Sequence, residues 1–257
     1  MSSPAHAFKS TSTLAGGSLS FVPANDSRLT RTPSLDGSED WVFSCWFYRT
    51  ITPAAFQGLL SGGVKNIFTK IGIDENNRLM LVDYLRANAK INLAGMTTTT
   101  SYNAWNHLYL AFNPSNATES LRAQMWVNGI AQTLSEVTAP LPVPLNHSSW
   151  ITDTKELMIG HTETTIDDGT GSEKLGGIVH DMILIDGGTT NSHPYSMFYE
   201  TDTIRPASYY APFGAQGFFL RMTDAANLGL DSSGNGNHFT ATNLTTANIS
   251  PLTPIVK

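Results

Sequence analysis

The stretch from Leu175 to Gly188 (LGGIVHDMILIDGG) constrains the fold more than any other part of the sequence. Its β-branched residues and the glycine pairs near its two ends argue against a helix. Read as a strand with a period of two, it is apolar on both faces: Ile178, Met182 and Leu184 on one, and Val179, Ile183 and Ile185 on the other. A strand that is apolar on both faces is covered on both sides. We therefore expect it to be the central strand of a layered β structure.

Two polar residues interrupt this strand, His180 on the first face and Asp181 on the second. A buried polar side chain gives up its water and needs a hydrogen-bonding partner. We expect a structural hydrogen bond for each of them, and a ligand or metal contact is the alternative.

Short strands separated by turn residues account for most of the chain, and no amphipathic helix longer than about ten residues is predicted. Asn128-Gly129 is the strongest hairpin signal. Residues 189–216 hold prolines and aromatics, and they predict an ordered excursion with one helical turn near 196–199. Together these patterns predict a sandwich or barrel in one domain. The predicted strands cover 18–22, 28–32, 41–49, 56–60, 66–73, 78–85, 105–112, 121–127, 130–134, 156–160, 175–188 and 217–222, with an edge strand at Ile91 and Leu93.

The two ends of the chain carry no core signal. Residues 1–17 are small and polar, and residues 240–257 are rich in threonine and asparagine. We expect an N-terminal arm over 1–17, the sandwich over 18–239 and an extended C-terminal tail over 240–257.

Composition argues against several classes of function. The net charge is −6 and no cluster of Lys or Arg occurs, so we expect no nucleic-acid partner. Apolar runs fall short of the ~20 residues of a membrane helix, and Met1 to Thr13 do not form a secretory signal, so we expect no membrane insertion. The single cysteine, Cys45, lies in an aromatic strand, where we expect it to be buried and inert. These features are typical of a protein made in a reducing cytoplasm.

Four sequence pieces occur in an order that resembles a known superfamily. They are Trp41–Tyr48, then Trp105–Leu110 with Leu121–Gly129, then Leu157–Gly160, then Gly177–Leu184. In this order they resemble the laminin-G-like, concanavalin A-like jelly-roll superfamily, in which a W-x-H strand precedes a VNG hairpin, an IG strand and a G-x-I strand. The resemblance covers residues 18–190 and implies an all-β, concanavalin A-like (laminin-G-like) jelly-roll β-sandwich, here with extended arms at both ends.

The C-terminal third resembles a narrower group. Phe198–Thr203, Gly217–Leu220 and Asn227–Thr240, which contains DSSGNGN, look like segments of tailed-phage and environmental-virus proteins. Those proteins combine a concanavalin A-like domain with such a segment and are mostly virion components: head decoration proteins, head fibres and tail appendages. Many of them are longer, so the chain resembles a compact version.

This resemblance implies a non-enzymatic structural protein of a phage virion, assembled in the host cytoplasm. We expect a capsid decoration protein that binds other virion proteins through its arms, forms a homo-oligomer and contacts host surface glycans. The alternative is a tail-fibre or lectin-type module that binds glycans for host recognition.

Aromatic residues in the loops are candidates for glycan contact, because lectins stack a Trp or Tyr on the sugar ring. The alternative, which we favour, is that they pack the excursion against the sandwich or form a subunit interface, where aromatics are enriched. The candidates are Trp150, Tyr195, Tyr199, Tyr209 and Tyr210.

Two loop segments could bind calcium, which takes several oxygen ligands from a flexible loop. The first holds Asp167 and Asp168, and the second holds Asp231, Asn235 and Asn237. For the second segment we favour a tight turn, because Asn and Gly tolerate positive φ and Asp caps its own backbone. The scattered histidines argue against zinc, and the sequence has no phosphate-binding glycine loop. We otherwise expect no cofactor.

A glycoside hydrolase is the second alternative, and it needs two carboxylates that flank the scissile bond. Concanavalin A-like hydrolases place them on one strand as E-x-D-x-x-E, and the sequence has no such pattern. The pairs Glu39-Asp40 and Asp74-Glu75 are adjacent, so a strand would send the two members to opposite faces. We therefore do not expect an enzyme.

If the arms attach the protein to particles, deletion of residues 1–18 should leave a folded protein that no longer binds them. Occupancy on purified particles measures this, and unchanged occupancy of the truncated protein would contradict the expectation.

Overall fold

The computed structural model describes residues 17–51, 55–85, 88–137, 143–162, 173–200, 205–206 and 212–254. Within them the first strands are β1 (Ser18–Phe21), β2 (Arg28–Arg31), β3 (Trp41–Arg49), β4 (Gln57–Val64), β5 (Ile67–Ile73), β6 (Leu79–Leu85), β7 (Asn88–Gly95), β8 (Trp105–Phe112), β9 (Ala123–Val127) and β10 (Ile130–Ala131). The later strands are β11 (Leu134–Glu136), β12 (Leu157–Ile159), β13 (His161–Thr162), β14 (Glu173–Lys174), β15 (Gly177–Asp186), β16 (Tyr199–Glu200), β17 (Arg205–Pro206), β18 (Phe218–Leu220), β19 (Thr240–Thr242) and β20 (Ile249–Ser250). Short 3-10 helices cover η1 (Pro23–Asn25), η2 (Glu119–Leu121), η3 (Tyr195–Met197) and η4 (Thr246–Asn248).

Two large antiparallel sheets form a sandwich, which confirms the all-β fold class. Sheet A has the order β10-β9-β8-β3-β15-β1-β20, and β18 also pairs with β15. Sheet B has the order β11-β7-β6-β5-β4-β12-β2-β19. One apolar cluster joins the facing sides, with Phe43 and Leu110 from sheet A and Ile71 and Leu81 from sheet B. The alternation of apolar residues along each strand therefore builds the core, as expected for a sandwich.

The strand β15 is central in sheet A, as predicted. All ten of its residues are buried, and it pairs with β3 and β1. Its inner side joins the core between the sheets, and its outer side lies under a second apolar cluster. That cluster takes Phe198 and Phe213 from the predicted excursion over 189–216. The described parts of the excursion thus cover the outer side of β15.

The predicted assignment of faces along this strand is wrong for part of its length. A β-bulge lies between His180 and Ile183, and Asp181 adopts a left-handed φ of 43°. The extra residue shifts the alternation by one. Val179 therefore shares the inner side with Met182, whereas Ile183 lies on the outer side.

Of the two buried polar residues of β15, His180 has the hydrogen-bonding partners that the sequence predicts, and Asp181 lies in contact with His180. The Nδ1 atom of His180 lies 3.2 Å from Ser18 Oγ and 3.1 Å from the carbonyl oxygen of Gly17. Its Nε2 atom lies 3.4 Å from a carboxylate oxygen of Asp181. These contacts tie the bulge to the first described residues of the chain.

Residues 240–254 contain two strands and η4, and they do not form a tail separate from the sandwich. The strand β19 pairs with β2 in sheet B, and β20 pairs with β1 in sheet A. Leu244 joins the core cluster between them. The boundary predicted at residue 239 is therefore wrong, because threonines suit the edge of a sheet as well as they suit a free segment.

The predicted N-terminal arm lies outside the described residues except for Gly17. The next residue, Ser18, is fully buried in β1. Deletion of residues 1–18 would remove this contact with His180, so a test of the arm has to end at residue 16.

Two further strand predictions need correction. The segment 130–134 does not return as one strand: β10 ends at Ala131, and β11 then pairs with β7 in the other sheet. The strand at Ile91 and Leu93 is longer than predicted and is not at the edge, because β11 lies beyond it. The helical turn predicted near 196–199 is present as η3. In the described part of the chain, no helix has the length and apolar character needed to cross a membrane.

Gly160 has a left-handed φ of 79°, and a Cβ atom there would lie 2.1 Å from the ring of Phe21 in the core. Gly236 has nearly the same φ, 74°, but a Cβ atom on it would have no heavy atom within 4 Å. Gly160→Ala should lower the free energy of unfolding by about 3 kcal/mol, and Gly236→Ala by about 1 kcal/mol, since only the first adds a clash in the core to the backbone strain. Chemical denaturation measures both, and equal losses would contradict the packing at Gly160.

Candidate functional site

A groove of about 550 Å³ lies where the two sheets end side by side, between β9 of sheet A and β11 of sheet B. We call it the edge groove. Its lining consists of apolar residues, which we call the floor, polar residues, which we call the rim, and one tryptophan, which forms part of the wall. The floor consists of Leu93, Ala123, Met125, Leu134 and Val143; the rim of Glu119, Ser120, Gln124, Gln132, Ser135 and Glu136; the wall includes Trp126.

The groove exists because the hairpin partner of β9 is short. The strand β10 pairs with Trp126 and Val127, and the N–H of Gln132 donates to the carbonyl of Met125 before the chain leaves for sheet B. In an antiparallel pair, backbone groups point alternately toward and away from the neighbouring strand. The N–H of Asn113 donates to the carbonyl of Arg122, and this register turns the backbone groups of Ala123 away from β8. Ala123 therefore turns toward the groove backbone groups that pair with no strand in the described residues.

The opposite side of the groove is also a strand edge. The N–H of Met96 donates to the carbonyl of Thr133, and the N–H of Val137 donates to that of Asn92. The same alternation turns the backbone groups of Leu134 and Glu136 away from β7. Because β11 is the last strand of sheet B in the described residues, these groups face outward.

The indole of Trp126 is held in a fixed orientation by other rings. It stacks on Tyr195 with centroids 5.6 Å apart and 17° between the planes, and it meets Tyr109 edge-on at 5.2 Å. Trp126 is only half-buried, so part of its surface stays open to solvent. Such a preoriented ring loses little freedom when a flat apolar surface covers it.

The rim amides are also held in place. The side-chain oxygen of Gln132 accepts the N–H groups of Thr97 and Thr98 at 3.1 and 2.9 Å, and that of Gln124 accepts the hydroxyl of Thr190 at 2.8 Å. The side-chain N–H₂ of Gln124 has no partner in the described residues, so it can donate to a ligand.

The rim carboxylates of Glu119 and Glu136 are exposed. Within the described parts of the chain, neither makes a side-chain hydrogen bond or an ion pair. The edge groove therefore combines a fixed indole, oriented amides and two carboxylates free to accept hydrogen bonds.

Of the aromatic residues predicted for glycan contact, the structure describes Tyr195 and Tyr199, which lie near each other, and Trp150, which lies apart from them. Tyr195 supports Trp126 behind the groove wall, so this candidate belongs to the site indirectly. Tyr199 is buried and stacks on Trp46. Trp150 lies next to sheet B, where its backbone N–H donates to the hydroxyl of Thr69. Tyr209 and Tyr210 lie outside the described residues.

Tyr199 covers the imidazole of His107, which is buried in the interior. His107 lies beneath it, with ring centroids 5.1 Å apart, and its Nε2 atom is 2.8 Å from Ser44 Oγ. Complete burial lowers the pKa of His107 to about 3, because the charged imidazole would lose its hydration. This part of the outer face is therefore closed to water and carries a neutral imidazole near pH 7.

The segment predicted to bind calcium or form a tight turn is a clamp on the loop before β18. The carboxylate of Asp231 accepts the N–H groups of Phe219, Ser233 and Asn237 at 2.8–2.9 Å. The side-chain amide of Asn235 donates to the carbonyls of Gly214 and Gly217, and that of Asn237 donates to Ala215 and Gly217. All three side chains are thus used within the fold.

Calcium binding stays a prediction for these residues. Asp167 and Asp168 lie outside the described residues. Elsewhere in the described chain, no group of three or more His, Cys, Asp or Glu side chains has an arrangement that could hold a metal ion.

A second polar cluster lies on the outer face of sheet B but is neutralised internally. The ammonium of Lys70 is 2.6 and 2.7 Å from the carboxylate oxygens of Glu173, and the ring of Phe56 lies 4.2 Å away. Burial lowers the pKa of Lys70, and Glu173 opposes this by favouring the charged amine. The pair leaves no free charge for a ligand, so the edge groove is the better candidate site.

Asp231→Asn should lower the free energy of unfolding by about 3 kcal/mol, since the amide offers one acceptor where the carboxylate serves several buried donors. Denaturation experiments measure the change. Asp224→Asn is the matched control, because that carboxylate accepts from Ala226 and Asn227 in an exposed turn, and its loss should stay below about 1 kcal/mol. A similar loss in both variants would contradict the clamp.

No protein-family model matches this sequence, and no curated protein matches it either. Among solved structures, the chain is similar to a Bacteroides ovatus protein named a "putative carbohydrate binding protein", with 12% identity, a TM-score of 0.59, and coverage of 94% of this chain and 61% of that one. It is also similar to the heptameric SAP-like pentraxin of Limulus polyphemus, with 13% identity, a TM-score of 0.51, and coverage of 90% and 95%.

A third similarity is to tailspike protein 2 of the Escherichia coli O157:H7 bacteriophage CAB120, with 16% identity, a TM-score of 0.47, and coverage of 74% of this chain and 25% of that one. The chain thus spans a quarter of the tailspike and about three fifths of the Bacteroides protein. The two similarities with TM-scores above 0.5 show a shared fold. Their sequence identities of 12% and 13% are too low to show a shared function. The chain has the all-β, concanavalin A-like jelly-roll architecture expected from its sequence.

Proposed function

We propose that this chain is a non-catalytic glycan-binding domain and that the edge groove is its binding site. The observation that carries the proposal is the indole of Trp126, fixed by Tyr195 and Tyr109, beside a rim of amides and carboxylates. A sugar ring has an apolar face of C–H groups and an edge of hydroxyls. Ligand sites characteristically pair an apolar surface with a few oriented polar groups, and the edge groove has both.

Each part of the groove has a role in this proposal. The apolar face of one sugar ring covers the open surface of Trp126, which removes apolar area from water. The amide of Gln124 donates to a ring hydroxyl, while the carboxylates of Glu119 and Glu136 accept from others. Hydrogen bonds to charged acceptors are stronger than neutral ones, so the carboxylates fix the orientation of the sugar.

The groove lacks the surroundings that glycoside hydrolysis requires. That mechanism needs one carboxyl group kept protonated by an apolar environment, beside a second that is ionised. Both rim carboxylates, Glu119 and Glu136, are exposed to water. Binding without turnover is therefore the function that this geometry supports best.

The setting that we propose is the surface of a phage particle, and its support is the sequence resemblance of the DSSGNGN region to tailed-phage virion proteins. A glycan-binding groove favours host recognition, the role of a tail-fibre or lectin-type module, over capsid decoration alone. Other virion proteins and further copies of this chain stay predicted partners, and imaging of particles with and without the gene product tests the placement.

Trp126→Ala should weaken the binding of any glycan that the wild-type chain recognises by about tenfold or more, which corresponds to about 1.4 kcal/mol. A glycan array identifies the ligand, and calorimetry then measures the dissociation constants. The reason for the loss is that the sugar no longer covers the indole.

Trp105→Ala is the matched control for this substitution. Trp105 is also half-buried and lies on β8 of the same sheet, but it packs against Tyr48 and His180 instead of the groove. This control should bind as the wild type does, with circular dichroism confirming that both variants are folded. Equal affinity of Trp126→Ala and the wild type, or no glycan binding by the folded wild type, would overturn the proposal.

A further inference from the structure

The floor of the edge groove is a surface that hydroxyl groups do not suit. Met125, Leu93 and Val143 are almost entirely buried, and Leu134 is half-buried beside them. A sugar hydroxyl pressed onto such a floor would lose hydrogen bonds to water without replacement. A methyl group in the same place would gain mainly by removing its own apolar area from water, because the floor residues are already buried.

The two sides of the groove offer what a ligand amide needs. The backbone groups of Ala123 on one side, and of Leu134 and Glu136 on the other, face away from their own neighbouring strands. Exposed strand edges bind peptide-like groups, because an amide presents one N–H and one C=O in the geometry of a ladder. The acetamido group of an N-acetylated sugar has this N–H and C=O together with a terminal methyl.

The charge of the groove limits the ligand further. Among its lining residues, Glu119 and Glu136 are ionisable, and none is a lysine or arginine. Arg122 lies beside the groove, but each of its three guanidinium nitrogens donates to a backbone carbonyl, those of Asn116, Val143 and Ala117. A ligand carboxylate would therefore meet two like charges and one cation whose nitrogens are already engaged, and such an arrangement disfavours an anionic ligand.

We infer that the edge groove selects saccharides that carry an uncharged 2-acetamido sugar, and that it discriminates against their sialylated or uronic-acid counterparts. This inference rests on the proposed glycan-binding function and adds the class of ligand. The methyl group lies on the apolar floor, the amide pairs with a strand edge, and the sugar ring covers Trp126.

The test is an array of matched pairs presented at equal density to the full chain. The pairs are N-acetylglucosamine with glucose, N-acetylgalactosamine with galactose, and N-acetylmannosamine with mannose, each also in an oligosaccharide; sialylated glycans complete the set. The acetamido member of the pair that binds should do so about tenfold or more tightly than its hydroxyl partner. Sialylated glycans should bind at least as weakly as that hydroxyl partner.

A double substitution, Glu119→Gln with Glu136→Gln, tests the role of charge. The ratio of the dissociation constants of the sialylated glycan and its neutral acetamido form should fall by about tenfold, because the two glutamates no longer repel the carboxylate of the ligand. Glu75→Gln is the matched control, since Glu75 is an exposed carboxylate in the turn between β5 and β6. This control should leave the ratio of the two dissociation constants unchanged.

The outcomes separate the inference from the proposed function. Suppose that a hydroxyl sugar or a sialylated glycan binds as tightly as the acetamido glycan, and that Trp126→Ala still abolishes this binding. That result would overturn the inference and keep the proposed function. No binding by any glycan would overturn both. Displacement of a bound acetamido glycan by an extended peptide of alternating residues, with tighter binding of the peptide, would make the groove a peptide site and also overturn both.

Discussion

The burial of β15 on both of its faces is the constraint on which the rest of the structure depends. Sheet B covers the inner face, and the excursion with Phe198 and Phe213 covers the outer one. Because this cover includes Tyr199 over His107, the interior continues beyond the sandwich into a third layer. Neither the core nor the middle of the outer face of sheet A is then available to a ligand. The edge groove lies outside this cover, where the two sheets end side by side.

Side-chain alternation in the sequence predicts most of this architecture. It locates the strands, identifies β15 as central and indicates that His180 needs a partner, all of which the structure has. It fails where the backbone departs from regular pairing. The left-handed conformation of Asp181 inserts one residue, and no side-chain pattern distinguishes a bulge from a regular strand that happens to be apolar on both faces. The threonine-rich end fails for a related reason, since an edge strand and a free segment share a composition.

The candidate site is harder to predict from the sequence than the fold is. The sequence favours loop aromatics as candidates for sugar contact. In the structure, Tyr199 packs onto sheet A, and Tyr195 contributes to the groove by stacking on Trp126. Trp126 stands on β9 between Met125 and Val127, which face the core, so its outward direction could have been predicted. The sequence does not predict that β10 ends after two residues, because the crossing of the chain to sheet B depends on tertiary packing.

The two edges of sheet A lie on opposite sides of the domain. The strands β1 and β20 are neighbours at one edge of sheet A, whereas β9 and β10 lie at the other. Five inter-strand spacings separate β9 from β20, which is roughly 24 Å across the sheet. A support joined to the chain beside β20 would therefore hold the domain by the edge remote from the groove. A single rigid sandwich can in this way be anchored on one side and display its groove on the other, with no hinge between the two.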